Sequence, residues 1–331
     1  MKFGTLLPHF GSHASASLIL RGASDAERLG LDSVWVRDHV VYRPHGFEDP
    51  DPTWLDPFVV LSALAATTDR IALGTATLIP FRNPIVAAQL IASLATFADP
   101  SRLILAWGRG NDDREFEAVQ TEVRRRGEML EEQIAVIREL LGGRSVTHAG
   151  RYHAFEDVSL RAPGLDGHVE LWYGGASERG IDRTLLLFDG LLASRIPRAV
   201  LRRRIARLRE LAESEGRPRP AVGLITLVSI PTTGGGSSTP RVDVERLMRD
   251  VSKFYPEHPI ETPRDLDGVL IQGSAKEIAD EVAAFGDVGV DHFIFDLRAH
   301  FDEWERGVRF VAEEVVPLLR STEEKVEGGA A

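Results

Sequence analysis

The 331-residue chain contains no cysteine. Disulfides, thiolate metal sites and cysteine nucleophiles are excluded, and the composition suits the cytoplasm. No run of 18 or more apolar residues occurs, so the sequence predicts no membrane span. The N-terminus, Met1 to His13, carries one lysine and too short an apolar stretch for a secretory signal. No glycine-rich dinucleotide fingerprint follows the first strand, where Leu6-Leu7-Pro8-His9-Phe10-Gly11 stands instead. No helix carries a His-x-x-x-His pair, and carboxylates at the strand ends are few, so no metal site is expected. A net charge of −11 argues against nucleic acid as a partner. The basic cluster Arg202, Arg203, Arg204, Arg207 and Arg209 alternates with Leu201, Ile205, Leu208 and Leu211 at helical spacing. It reads as the wet face of an amphipathic helix.

Hydrophobic residues make up 43% of the chain, enough for a full core. Eight apolar strand segments are predicted: Phe3–Leu7, Ser33–Val36, Ile71–Leu78, Leu103–Trp107, Val169–Tyr173, Gly190–Ala193, Val222–Ile230 and His292–Asp296. Helical segments alternate with them near 15–30, 55–68, 84–98, 113–141, 176–187, 197–214, 275–285 and 302–320. Eight such pairs are the count of a (β/α)8 TIM barrel, expected as one domain over 1–320. A doubly wound open sheet is the alternative. Val146–Thr147 and Tyr152–Phe155 read as a small hairpin. The stretch 232–269 is an insertion after strand seven with a helix over Val244–Phe254; it reads equally as a lid over the mouth or as a surface excursion. The charged tail 321–331 is expected to be disordered.

The stretch Ala26 to His39, AERLGLDSVWVRDH, is the most informative. A helix runs out at Gly30, a short apolar strand follows, and Arg37, Asp38 and His39 sit at its carboxyl end, where barrels keep their chemistry. Alone, an Asp-His pair reads as a solvated strand end. In a barrel, however, it shares a rim with Pro8-His9-Phe10, Thr75-Ala76-Thr77, Trp107-Gly108-Arg109-Gly110-Asn111, Gly174-Gly175-Ala176-Ser177, Ser194-Arg195 and Arg298. That set has anion-binding logic. Gly174 to Ser177 joins a strand to a helix start, where backbone N–H groups favour phosphate, and Arg195, Arg198 and Arg298 are placed to complete the site. Gly-Gly by itself is also an ordinary tight turn.

From Phe3 to about Leu319 the chain resembles the bacterial-luciferase-like flavin and deazaflavin oxidoreductases. The resemblance rests on GTLLPHFG (4–11), AERLGLDSVWVRDH (26–39), DRIALGTATL (69–78), RNPIVAAQLIASLATFADPSRLILAWGRG (82–110), RRRGEMLEEQIAVIRELLGG (124–143), LWYGGAS (171–177), DGLLAS (189–194) and GSAKEIADEVAAFGDVGVDHFIFDL (273–297). No one motif is specific; their order and spacing together are. The resemblance implies a TIM barrel that binds coenzyme F420 or FMN across its mouth and moves a hydride at the ring. It implies that Asp38 and His39 stand beside the ring, with Asp38 orienting His39 as the proton carrier. It implies that Thr75-Ala76-Thr77 backs the ring with a cis peptide at Ala76–Thr77. Gly108, Gly110 and Asn111 would line the ring and its side chain. Gly174, Gly175, Ala176 and Ser177 would bind phosphate, helped by Ser194, Arg195 and Arg198.

Two departures stand out. Family members often carry Gly-Val-Gly in strand four, where this chain has Ala106-Trp107-Gly108, and Trp107 is expected to narrow the mouth or stack near the ring. Asn111 stands where the deazaflavin sugar-phosphate dehydrogenases carry a glutamate, which argues against a sugar-phosphate substrate. Among the other aromatics that bear on the pocket, Tyr42, Phe81 and Trp54, the last reads as core. The expected activity is an F420-dependent oxidoreductase acting on a small organic molecule. The alternatives are an FMN-dependent monooxygenase fed by a partner reductase, and a non-catalytic cofactor-binding or partner-stabilising barrel. The family resemblance also implies a homodimer.

Overall fold

The computed structural model describes residues 1–41, 50–162, 167–231 and 242–321. The expected tail beyond Ser321, the first ten residues of the insertion and Tyr42 lie outside them.

Eight parallel strands close into a ring: β1 (Lys2–Leu6), β2 (Ser33–Val36), β3 (Ala72–Leu78), β4 (Leu103–Gly108), β7 (Glu170–Gly174), β8 (Gly190–Ser194), β9 (Ala221–Ser229) and β11 (His292–Asp296). β1 pairs with both β2 and β11, and β8 with β9, which completes the (β/α)8 barrel. Helices α1 (Ala16–Arg28), α2 (Pro57–Ala65), α3 (Pro84–Phe97), α6 (Glu178–Leu187), α7 (Arg198–Ser214) and α9 (Ala275–Val288) connect successive strands. Several starts are capped: Asp56 and Asn83 cap α2 and α3 ahead of a proline, and Ser274 and Glu277 form a capping box on α9. The predicted hairpin is present as β5 (Val146–Ala149) and β6 (Ala154–Val158). Within the insertion, α8 (Val244–Phe254) forms as predicted. A short strand, β10 (Leu270–Gln272), not foreseen from the sequence, extends the sheet beside the end of β9. The final helix, α10 (Trp304–Phe310), runs on through one π-helical turn, and Trp304 Nε1 donates to Leu6 O at 2.9 Å, tying the last helix to the first strand.

The single helix expected over 113–141 is two, α4 (Asp113–Ala118) and α5 (Arg126–Leu141). Gln120 adopts a left-handed backbone, φ 56°, and breaks the run. This break matters for the site, because α4 is free to tuck under the rim.

The barrel floor is filled by two indoles. Trp35 and Trp172 face one another with centroids 6.1 Å apart, and His292 stands edge-on to both. Such bulk requires small residues on neighbouring strands. Gly74 sits in register with Trp35, and Gly190 with Trp172. A Cβ at Gly74 would lie 2.4 Å from the Trp35 ring, and one at Gly223 would lie 2.5 Å from Trp172. Ser33 Oγ joins the layer, bonded to His292 Nε2 at 2.6 Å and accepting from Trp35 Nε1 at 2.7 Å. The floor is therefore closed, and chemistry is confined to the opposite end.

Candidate active site

The rim is built strand end by strand end. After β2, the His39 ring lies with Nδ1 3.0 Å from each carboxylate oxygen of Glu115, a residue of α4 that is only 1% exposed. The N–H groups of Val40 and Val41 also donate to Glu115 Oε1, at 2.9 and 3.3 Å. Burial acts most strongly on His39 and lowers its pKa; the Glu115 hydrogen bond opposes this, and the Arg37 charge adds to it. The net direction is downward, so the imidazole is neutral at pH 7. Burial pushes Glu115 upward, but hydrogen bonds from His39, Val40 and Val41 outweigh it and keep this side chain an anion. With Nδ1–H donated to a carboxylate, the imidazole carries its lone pair on Nε2. The arrangement is a proton acceptor held in one tautomer.

Asp38 does not orient His39. Successive residues at a strand end point to opposite faces, and Asp38 turns outward. It takes Arg82 on both oxygens, at 2.6 and 3.1 Å, and accepts from Ile79 N at 3.0 Å. Arg82 also reaches Asp56 at 2.6 Å, so one guanidinium braces β2, the loop after β3 and the start of α2. Burial opposes the Arg82 charge, but the two carboxylates outweigh it and raise its pKa.

Along β3 the Ala76–Thr77 peptide is cis, and the register with β4 shifts between Thr75 and Leu78. Thr75 Oγ1 donates to Ala106 O at 3.0 Å. Thr77 lies across the next two strand ends. A Cβ on Gly108 would be 2.5 Å from its Oγ1, and one on Gly174 would be 2.1 Å from its Cγ2. These two glycines thus accommodate Thr77. Gly110 turns with φ 70° beneath Phe116, and Asn111 is exposed beyond it. Trp107 does not narrow the mouth. Gly108 faces inward with Thr77, so alternation puts Trp107 on the outer face of the barrel, in register with Tyr173 and fully buried.

The turn after β7 runs Gly174, Gly175, Ala176, Ser177. Gly175 has φ 145° and donates to Leu192 O at 3.0 Å, and Ser177 caps the ten-residue α6 by accepting from Gly180 N at 3.2 Å. The amides of Ala176 and Ser177 have no hydrogen-bond partner among the described residues. Ser194 is exposed at the end of β8, and Arg195 follows with φ 46°. Two expected anion ligands are committed elsewhere. Arg198 pairs with Asp267 at 2.8 Å and with Glu281, and stacks 4.6 Å over Phe285. Arg298 is buried against Asp296, its Nε 2.8 Å from both oxygens. Each carries a carboxylate that satisfies its charge, which removes the reason to assign it to phosphate.

Trp54 is rim rather than core. It stacks on Phe10 at 4.7 Å and meets the His39 ring edge-on at 4.6 Å, with Phe301 5.0 Å from Phe10. Below them His9 is buried, with Nδ1 3.0 Å from Leu7 O and Nε2 accepting from Arg37 N at 2.8 Å. No group of three His, Asp or Glu suited to a metal ion occurs among the described residues.

The family model of the luciferase-like monooxygenases matches residues 1–233. The chain belongs to that family. Among curated proteins, it is 26% identical to an F420-dependent glucose-6-phosphate dehydrogenase of Microbacterium testaceum, over 89% of this chain and 91% of the relative. It is 29% identical to the protein of the same name from Kineococcus radiotolerans, over 90% and 91%. Among solved structures, a monooxygenase from Streptomyces bottropensis superposes with TM-score 0.78 at 21% identity, covering 96% of this chain and 99% of that one. An F420-dependent secondary alcohol dehydrogenase in complex with an F420-acetone adduct does so with TM-score 0.78 at 20% identity, covering 96% and 98%. These superpositions describe the luciferase-like barrel.

Sequence reasoning missed Glu115, Arg82 and the rim position of Trp54. Glu115 had a signal: a lone carboxylate beside Phe116 in Asp112-Asp113-Arg114-Glu115-Phe116, on the buried side of a short helix just past a strand end.

Proposed function

We propose that this protein is a coenzyme F420-dependent oxidoreductase that moves a hydride between the deazaflavin ring and a small organic substrate. The observation that carries the reading is the His39–Glu115 pair on one barrel rim with an anion-ready turn at Gly174–Ser177. The names of the curated relatives support it. The residues fit the cofactor's phosphate: two adjacent unpaired amides open a ten-residue helix, whose dipole favours an anion. Ser194 and Arg195 flank that turn, and the Thr75–Thr77 edge would back the ring.

When bound, the deazaflavin supplies the hydride chemistry; the protein supplies geometry and electrostatics. His39 Nε2 takes the hydroxyl proton as an alcohol is oxidised and returns it when a carbonyl is reduced. Glu115 holds the tautomer and steadies the imidazolium that forms. The Asp38–Arg82–Asp56 brace keeps this strand end in place. Phe10 and Trp54 present aromatic faces beside His39, with the Arg37 guanidinium 5.9 Å from both ring centroids. A homodimer is proposed on the family resemblance.

A monooxygenase using FMN and a partner reductase is the second reading, favoured by the family's own description. Deazaflavin absorbance, followed with and without oxygen over a panel of secondary alcohols and glucose 6-phosphate, separates the two. Oxygen-insensitive deazaflavin reduction by an alcohol is the expected result. Oxygen consumption with reduced FMN, and none of that reduction, would contradict the proposal.

A further inference from the structure

The arginine-rich face of α7 is not uniformly wet. Arg202, Arg203, Arg207 and Arg209 are exposed, whereas Arg204 is 8% exposed and reaches beneath the turn after β7. Its Nε–H donates to Ala176 O at 3.0 Å. Its remaining nitrogens pair with Glu257 of the insertion, at 2.6 Å, and with Glu178, the first residue of α6. Three elements thus meet on one buried guanidinium directly behind the turn.

Two consequences follow. The Ala176–Ser177 peptide is trans, so its C=O and N–H point in opposite directions. Anchoring the carbonyl toward α7 therefore aims the Ser177 N–H away from α7, out of the turn, and that amide has no partner among the described residues. Glu178, meanwhile, lies in the first helical turn, where a carboxylate is itself favoured by the helix dipole and would compete with a bound anion. Arg204 holds that carboxylate to the side.

We propose that Arg204 is a positioning residue for the anion-binding turn, orienting the Ser177 amide and sequestering Glu178 so that the turn accepts the cofactor's phosphate. The inference rests on the F420 reading above. Arg204 touches no cofactor atom; it acts through the turn.

The test compares two ligands by fluorescence titration: coenzyme F420, and the same deazaflavin bearing only its polyol chain, without phosphate. Wild type is expected to prefer F420 by tenfold or more. Arg204→Met is expected to shrink that preference about tenfold while leaving affinity for the phosphate-free ligand unchanged, and adding Glu178→Gln should restore part of it. Equal weakening of both ligands, or an unchanged preference, overturns the proposal. If Arg204→Met does not fold, Arg204→Gln serves, with an intermediate preference expected and an unchanged one decisive against the idea. Wild type binding neither ligand would sink the F420 reading and this inference together; wild type binding both, with preference untouched by the variants, sinks this inference alone.

Discussion

A histidine held by a carboxylate is a unit of chemistry wherever it occurs, and its pH behaviour exposes the coupling. Glu115 raises the His39 pKa against the larger lowering effect of burial. Glu115→Gln should therefore move the acid limb of the activity profile to lower pH, and should slow turnover about 10- to 100-fold because the tautomer is no longer fixed. A limb that stays put would mean that another group titrates. His39→Gln should cost about 10²–10⁴-fold in turnover with F420 affinity retained, measured by titration alongside kinetics. His9 gives a stability prediction. Its pKa falls from 6.5 to about 4, chiefly through burial. Between those values the unfolded chain binds more protons than the folded one, so stability present above pH 6.5 is lost as pH falls to about 4. The loss is on the order of 3 kcal/mol. Urea midpoints across that range should fall more steeply for wild type than for His9→Gln; parallel curves would contradict it. The residue pair that matters was only half legible in sequence. Asp38-His39 is adjacent in the chain and so invites pairing, but the alternation of side chains at a strand end separates them, and the true partner lies 76 positions away.

At the scale of elements, the rim works because Thr77 is packed into two glycines. Gly174→Ala would place a methyl 2.1 Å from Thr77 Cγ2. The expected result is a loss of about 1–3 kcal/mol in urea unfolding, together with weaker F420 binding as the turn shifts. Thr77→Ser, which removes that Cγ2, should recover much of both losses in the double variant; strictly additive losses would mean that the two sites do not communicate. The sequence offered a tight turn or phosphate binding for Gly174-Gly175 and a ring-lining role for Gly108, and packing against Thr77 for neither. That packing is a contact across strands, and no local pattern encodes it. The same limit explains the helix expected over 113–141: residues 119–125 leave the helix, with a left-handed backbone at Gln120, and α4 sets Glu115 under the rim.

At the scale of the molecule, strand-helix alternation was enough to read the barrel, because buried parallel strands are continuous apolar runs and glycine, proline and capping residues punctuate them. What alternation does not reveal is how the interior is filled. Trp35 and Trp172 close the floor only because neighbouring strands carry Gly74, Gly190 and Gly223. Gly74→Ala is thus expected to destabilise the whole barrel by at least about 1–3 kcal/mol. Cofactor affinity should be nearly unchanged under folding conditions, since the floor lies at the other end from the rim; a selective loss of binding would contradict that separation. On the proposed reading the rim selects the deazaflavin F420 over the flavin FMN. Parallel titrations of the wild-type protein with F420 and with FMN test it most directly. Saturable F420 binding at least tenfold tighter than FMN binding is expected; FMN binding as tight as or tighter than F420 would overturn that reading.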